Sequence, residues 1–349
     1  MAGKKTRRAS LLALVPLASL CPSLGRALEI NDTWIGPSGG NYSVPTNWDT
    51  GVVPGNTGPV LFNVIIPGGG KYVYFDKVKD GVLDCTVKTF SLGDASTFHL
   101  LPGTTYTVQE QADLYGILNS DGGKFTAVGP GAGLKGERAR ISIWNGAVVT
   151  IGGDTYSSKG IWQSWDPDWH DGDQQGTWYP TLMAADGAGT VLDLSKLVKI
   201  DAGFSSGGND LNLQRITASN GGVIDLSGVQ TLTAPAADRD QIGFVVSGAD
   251  SRVKLDKLQT IASAGGGTTW FSGRTLFHLS GGTKLDLTAL TSSNYTGLVL
   301  LDGSEVTAPA YATMADTYFN LSGGSKLTAG GANGVFSSLA TWNSWDPDW

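Results

Sequence analysis

The segment Ser164–Trp178, SWDPDWHDGDQQGTW, is the densest group of chemically able side chains in this 349-residue chain. Asp166, Asp168, Asp171 and Asp173 follow one another closely within it. Hard oxygen donors at that density suit a calcium ion. The order D-x-D-x-x-D-G-D has one residue more than an EF-hand loop before the third acid, and no closing Glu. A solvated acidic turn is therefore the competing reading. Trp162, Trp165, Trp169 and Trp178 surround the same turn. Such rings stack on sugar faces, pack against a scaffold, or join protomers. Asp-Pro-Asp itself is turn chemistry, with Pro fixing φ at the second position. SWDPDW returns as Ser344–Trp349, and seven of the 11 Trp lie at the two copies. The sequence thus offers the four Trp as carbohydrate contacts, the four Asp as calcium ligands, and no other cofactor site.

Other chemistries find less. Glycoside hydrolysis needs two opposed carboxyl groups, and Glu29, Glu110, Glu137 and Glu305 are scattered. A lyase needs a base, for which Arg138, Arg140, Arg252 and Arg274 qualify by type alone. His99, His170 and His278 with so little Cys argue against zinc. His99 and His278 each sit in FHL, which reads as an outward or hydrogen-bonded strand histidine. No nucleophile elbow is present. GPGAGLKGE from Gly129 lacks the Lys-Ser/Thr ending of a phosphate loop and reads as a flexible loop. No catalytic residue emerges.

The elements that must carry these groups are short and repeated. An apolar residue, a polar glycine turn and an alternating strand recur, as in ASNGGVIDL, LSGGTKLDL and LSGGSKLTA. The turn glycines are Gly122, Gly146, Gly187, Gly221, Gly248, Gly281, Gly303 and Gly323. Their irregular spacing with a constant turn predicts stacked coils that eject loops of different length. In VIDL and KLDL the apolar side chains point one way, and Asp225 or Asp286 the other. The expected fold is all-β, a right-handed parallel β-helix; leucine-rich repeats and a sandwich are the alternatives. The expected organisation is a signal peptide over 1–27, an N-terminal cap over 28–57 and repeats over 58–349. In the cap, Trp34, Tyr42 and Trp48 cover the open end of the solenoid or, alternatively, form a sugar platform. Because the second SWDPDW stops where the first leads into another rung, the repeats are expected to be the front of a longer array.

The leader reading rests on basic MAGKKTRR followed by LLALVPLASL, an apolar core too short to span a bilayer comfortably. Its adjacent Arg pair leaves both the general secretory and twin-arginine routes open. Removing 1–27 takes away five bases and no acid, leaving 19 basic against 31 acidic residues. Such a chain repels nucleic acid. Only Cys85 then remains, so no internal disulfide is available, and a buried, inert thiol is expected.

TWIG…GGNYS…NWDTGVVPGN, VKTFSLGDASTFHLLPGTTYTV and the later GGxxLDLSxL rungs carry a resemblance. They resemble secreted bacterial surface repeat proteins of the autotransporter-passenger and haemagglutinin-like kind. The resemblance implies an adhesive or structural β-helix at the cell surface and carries over no catalytic residue. The autotransporter pattern adds a membrane barrel after the repeats, which residues 58–349 do not contain. The expectation is a secreted, non-catalytic structural or adhesive β-solenoid. The alternatives are an extracellular polysaccharide-binding or polysaccharide-degrading β-helix, and a calcium-dependent surface assembly module. Its expected partners are polysaccharide, cell-surface components or copies of itself, with no membrane span in the mature chain.

Overall fold

Runs of four to seven alternating residues cannot bury their apolar side alone, and here they do so by coiling. The computed structural model describes residues 27–76, 84–159, 177–178, 180–205, 211–236, 240–263, 274–330 and 335–337. These form a parallel β-helix of three lateral faces, with no α-helix among the described residues. The first face is a 10-stranded sheet running from Leu28–Thr33 to Arg252–Lys254, with a 3-stranded sheet following it. The second face is a 12-stranded sheet from Gly40–Asn41 to Tyr318–Leu321. The third is a 7-stranded sheet from Thr155–Ser157 to Val335–Ser337. Parallel pairing on three lateral faces, with no α-helix among the described residues, replaces the sandwich and leucine-rich alternatives.

One coil shows the plan. Thr181–Asp186 lies on the second face, Val191–Asp193 on the first and Lys199–Asp201 on the third, after which Leu211–Ser219 returns to the second. Inward positions form ladders: Ile216, Phe244, Phe277, Leu298 and Phe319 on the second face, and Phe125, Val149, Leu192 and Ile224 on the first. Phe244 and Phe277 stack with centroids 5.0 Å apart. The ladders meet in one continuous apolar core.

All eight turn glycines named above have positive φ, from 61° to 95°. They stand at the corner from the second face to the first, where L-residues are strained. Buried hydroxyls close the same corner: Thr190 Oγ1 donates to the Asp186 carbonyl at 2.8 Å and accepts from the Gly146 N–H of the preceding coil at 2.9 Å. At the next corner Asp193, Asp225 and Asp286 accept from the N–H two residues on, at 3.0, 3.0 and 2.9 Å. The corner from the third face to the second absorbs the variation in coil length. The segments around 160–176, 206–210 and 264–273 all fall there, whereas Ser292–Asn294 passes to Thr296–Leu300 through one residue.

One local reading changes. GPGAGLKGE is not wholly a loop: Gly133–Leu134 pairs with Asp113–Leu114, and Ala132 and Leu134 are buried. The first strand is Leu28–Thr33, in register with Val60–Ile65. Its alternation is hidden in sequence because an inward position holds Asp32.

Candidate functional site

Lys71-Tyr72-Val73-Tyr74-Phe75 reads polar, aromatic, apolar, aromatic, apolar. Strand alternation buries Val73 and Phe75 and sends both tyrosines outward. On the second face that strand aligns with Thr97–Leu100, then Ile117–Asp121, then Arg140–Trp144. Outward residues fall into three rows across the rungs. Tyr72, Thr97, Ile117 and Arg140 form the first, and Tyr74, His99, Asn119 and Ser142 the second. Asp121 and Trp144 lie in the third, with Asp186 on the next rung.

These rows frame a cleft of about 510 Å³, lined by Lys71, Tyr72, Asn119, Arg140, Ser142 and Trp144, among others. It is an aromatic nest. The Tyr72 and Tyr74 rings lie 4.8 Å apart, Tyr74 and His99 5.6 Å, and His99 and Trp144 5.5 Å. Tyr72 Oη and His99 Nδ1 are hydrogen-bonded at 2.7 Å. Burial pulls the His99 pKa below the usual imidazole value, against a smaller opposing pull from Asp121. A neutral His99 lets Nδ1 accept the tyrosine hydroxyl, which fixes the Tyr72 ring. Burial likewise raises the Tyr72 pKa. The cleft thus offers ring faces set by rigid rungs, with an amide and a hydroxyl between them, the combination that binds polyhydroxylated rings.

Trp162, Trp165, Trp169, Asp166, Asp168, Asp171 and Asp173 lie outside the described residues, as do the second SWDPDW, the leader residues 1–26 and His170. Trp178 is described through its backbone, where Thr177–Trp178 pairs with Leu211–Asn212. The strands preceding the two SWDPDW copies are both in view. Ser157 ends Thr155–Ser157 and Ser337 ends Val335–Ser337, each seven residues before its copy. They are the first and last strands of one sheet, so both copies follow the same face.

Trp34, Tyr42 and Trp48 are 1%, 0% and 1% exposed, which removes them as a sugar platform. Their rings pack edge to face, Trp34 on Trp48 at 5.2 Å and Tyr42 on Phe75 at 5.1 Å. Cys85 is buried beneath them, and burial pushes its thiol up to about 12. His99 and His278 both face outward from their strands.

On the first face Lys88 Nζ lies 2.8 Å from Glu29 and 3.6 Å from Glu110, so these two Glu are partners of one lysine rather than an acid–base pair. Among the described residues no three His, Cys, Asp or Glu are grouped to hold a metal. The aromatic cleft was not read from the sequence; the one available signal was the paired outward tyrosines of KYVYF. No family model matches the chain, and comparison with curated proteins and with solved structures gives no match.

Proposed function

We propose that this protein is an exported, non-catalytic adhesive β-solenoid that holds saccharide chains in the cleft of its second face. The observation that carries this reading is the pair of Tyr72 and Trp144 rings beside Asn119 and Ser142, on rungs locked in register. Rings bind the apolar faces of sugars, and the short polar side chains select hydroxyl positions. The cleft crosses four rungs at about 4.8 Å each, so it favours a chain laid along the solenoid axis over a single sugar. The likeness of the GGxxLDLSxL rungs to bacterial surface repeat proteins supports a place outside the cell, as does the leader-like N-terminus. Repetition of such a chain at a surface turns weak contacts into adhesion.

Affinity electrophoresis of the full chain through gels cast with different polysaccharides tests the reading. Retardation by at least one polysaccharide is expected, with Trp144→Ala weakening it about tenfold, since a ring–sugar stack is worth on the order of 1 kcal/mol or more. Wild-type mobility unchanged in every gel, or equal retardation of a folded Trp144→Ala chain, would sink it.

A further inference from the structure

We infer that the saccharide held in this cleft is an acidic one, a chain carrying carboxylate or sulfate groups, with Lys71 and Arg140 as its anion contacts. The inference rests on the saccharide reading above and adds its charge.

The two cations line the cleft along one edge, where the strands of the second face begin. Tyr72 opens one strand and Arg140 another three rungs away, with Thr97 and Ile117 between them in the same row. Three rungs place Lys71 and Arg140 about 14 Å apart along the axis. That spacing suits a polymer that presents charge repeatedly, rather than a small anion gripped by both. An ammonium and a guanidinium give charge-assisted hydrogen bonds to carboxylate or sulfate oxygens, and the planar guanidinium can engage two at once.

Asp121 and Asp186 stand in the third outward row, at the other end of these strands. Asp121 Oδ1 accepts from Asn145 Nδ2 at 2.7 Å. Asp186 Oδ1 accepts from Ser219 Oγ at 2.6 Å and Asn220 Nδ2 at 2.7 Å. With the cations at one end of the strands and the acids at the other, an anionic chain would turn its charged groups toward Lys71 and Arg140 and its ring faces toward Tyr72 and Trp144. The chain as a whole is acidic, at formal net charge −7, so long-range attraction does not explain an acidic ligand. Selectivity must come from these two side chains at contact distance.

Two pairs of polymers, each sharing a backbone and differing in charge, make the test. Polygalacturonate is compared with its full methyl ester, and dextran sulfate with dextran, as ligands of the full-length chain. At least tenfold tighter binding of the charged member of a pair is expected. The first pair reports a carboxylate, the second a sulfate ester. Lys71→Gln should weaken binding of that charged polymer several-fold and shrink its preference over the neutral partner. Equal binding of charged and neutral members in both pairs overturns the charge assignment and leaves the saccharide cleft standing. Failure of all four polymers overturns the charge assignment, and the gels described above then decide the saccharide reading separately. A preference that survives intact in the folded Lys71→Gln and Arg140→Gln chains overturns these residues as the anion contacts.

Discussion

Asp32 is an acid on an inward ladder, aligned with Val64 and, through it, Phe90. It is fully buried, and one of its oxygens meets no donor. The other accepts weakly from the Thr50 N–H at 3.4 Å. Burial first, then a hydrogen bond with Asp49, raises its pKa from 3.8 to about 6. Asp49, whose Oδ1 accepts the Thr33 N–H at 2.8 Å, is held below the usual carboxylate range. One proton is thus best shared with Asp32 as its owner. A raised carboxyl pKa favours the folded chain where the group is protonated. That stability is full below pH 3.8 and lost as pH rises through about 6. Asp32→Asn, which keeps the shape without the charge, should therefore raise stability by about 2 kcal/mol at pH 7.5 and change little near pH 4. Urea melts at the two pH values decide it; equal effects at both would refute the shared proton. His99 has the opposite sign. Its lowered pKa costs stability only as pH falls below 6.5, so the two residues can be separated by mutation.

At the scale of the elements, glycine does two different jobs. Gly146 sits at φ 76° with no atom within 4 Å of where a Cβ would stand. Gly146→Ala therefore meets backbone strain alone, about 1 kcal/mol. Gly222 has no left-handed φ, but its Cβ would lie 2.1 Å from the Ala185 carbonyl oxygen of the preceding coil. Gly222→Ala must push two coils apart and should cost about 3 kcal/mol. Urea midpoints in the order wild type, Gly146→Ala, Gly222→Ala are expected; the reverse order of the two variants would contradict the close coil contact. This contrast marks what sequence could disclose. The turn glycines were legible because a positive φ restricts residue type locally. The strand LEINDT was not, since Asp32 breaks its alternation for a reason that lies 17 residues away, in Asp49. The cleft was hidden for the same cause on a larger scale. Tyr72, His99, Asn119 and Trp144 become neighbours only through a register set by coils of different length. SWDPDW, the most conspicuous motif, follows the third face, whereas the cleft lies on the second.

For the whole molecule, a solenoid whose coils touch only their neighbours should tolerate loss of a complete coil and reject loss of a fraction of one. Coils of equal length on two faces give the cleanest case. Leu298 aligns with Phe319 and Val306 with Leu327, an advance of 21 residues on both faces. Deleting 298–318 joins Gly297 to Phe319, so Phe319 takes the inward place of Leu298 and Leu321 that of Leu300. Each later strand then stacks one rung earlier with its apolar side still facing the core. Deleting 298–317 instead joins Gly297 to Tyr318. Tyr318 then points inward, Phe319 faces solvent, and a polar Asn320 enters the core at the next inward position. A one-residue slip of this kind turns a strand's buried set outward. The first deletion should give a soluble chain with the wild-type β-sheet circular dichroism per residue and a Tm a few degrees lower, as one coil interface is lost. The second should lose cooperative melting over its C-terminal coils, or aggregate through exposed strand edges. Equal behaviour of the two chains would mean that the inward ladders do not set the register.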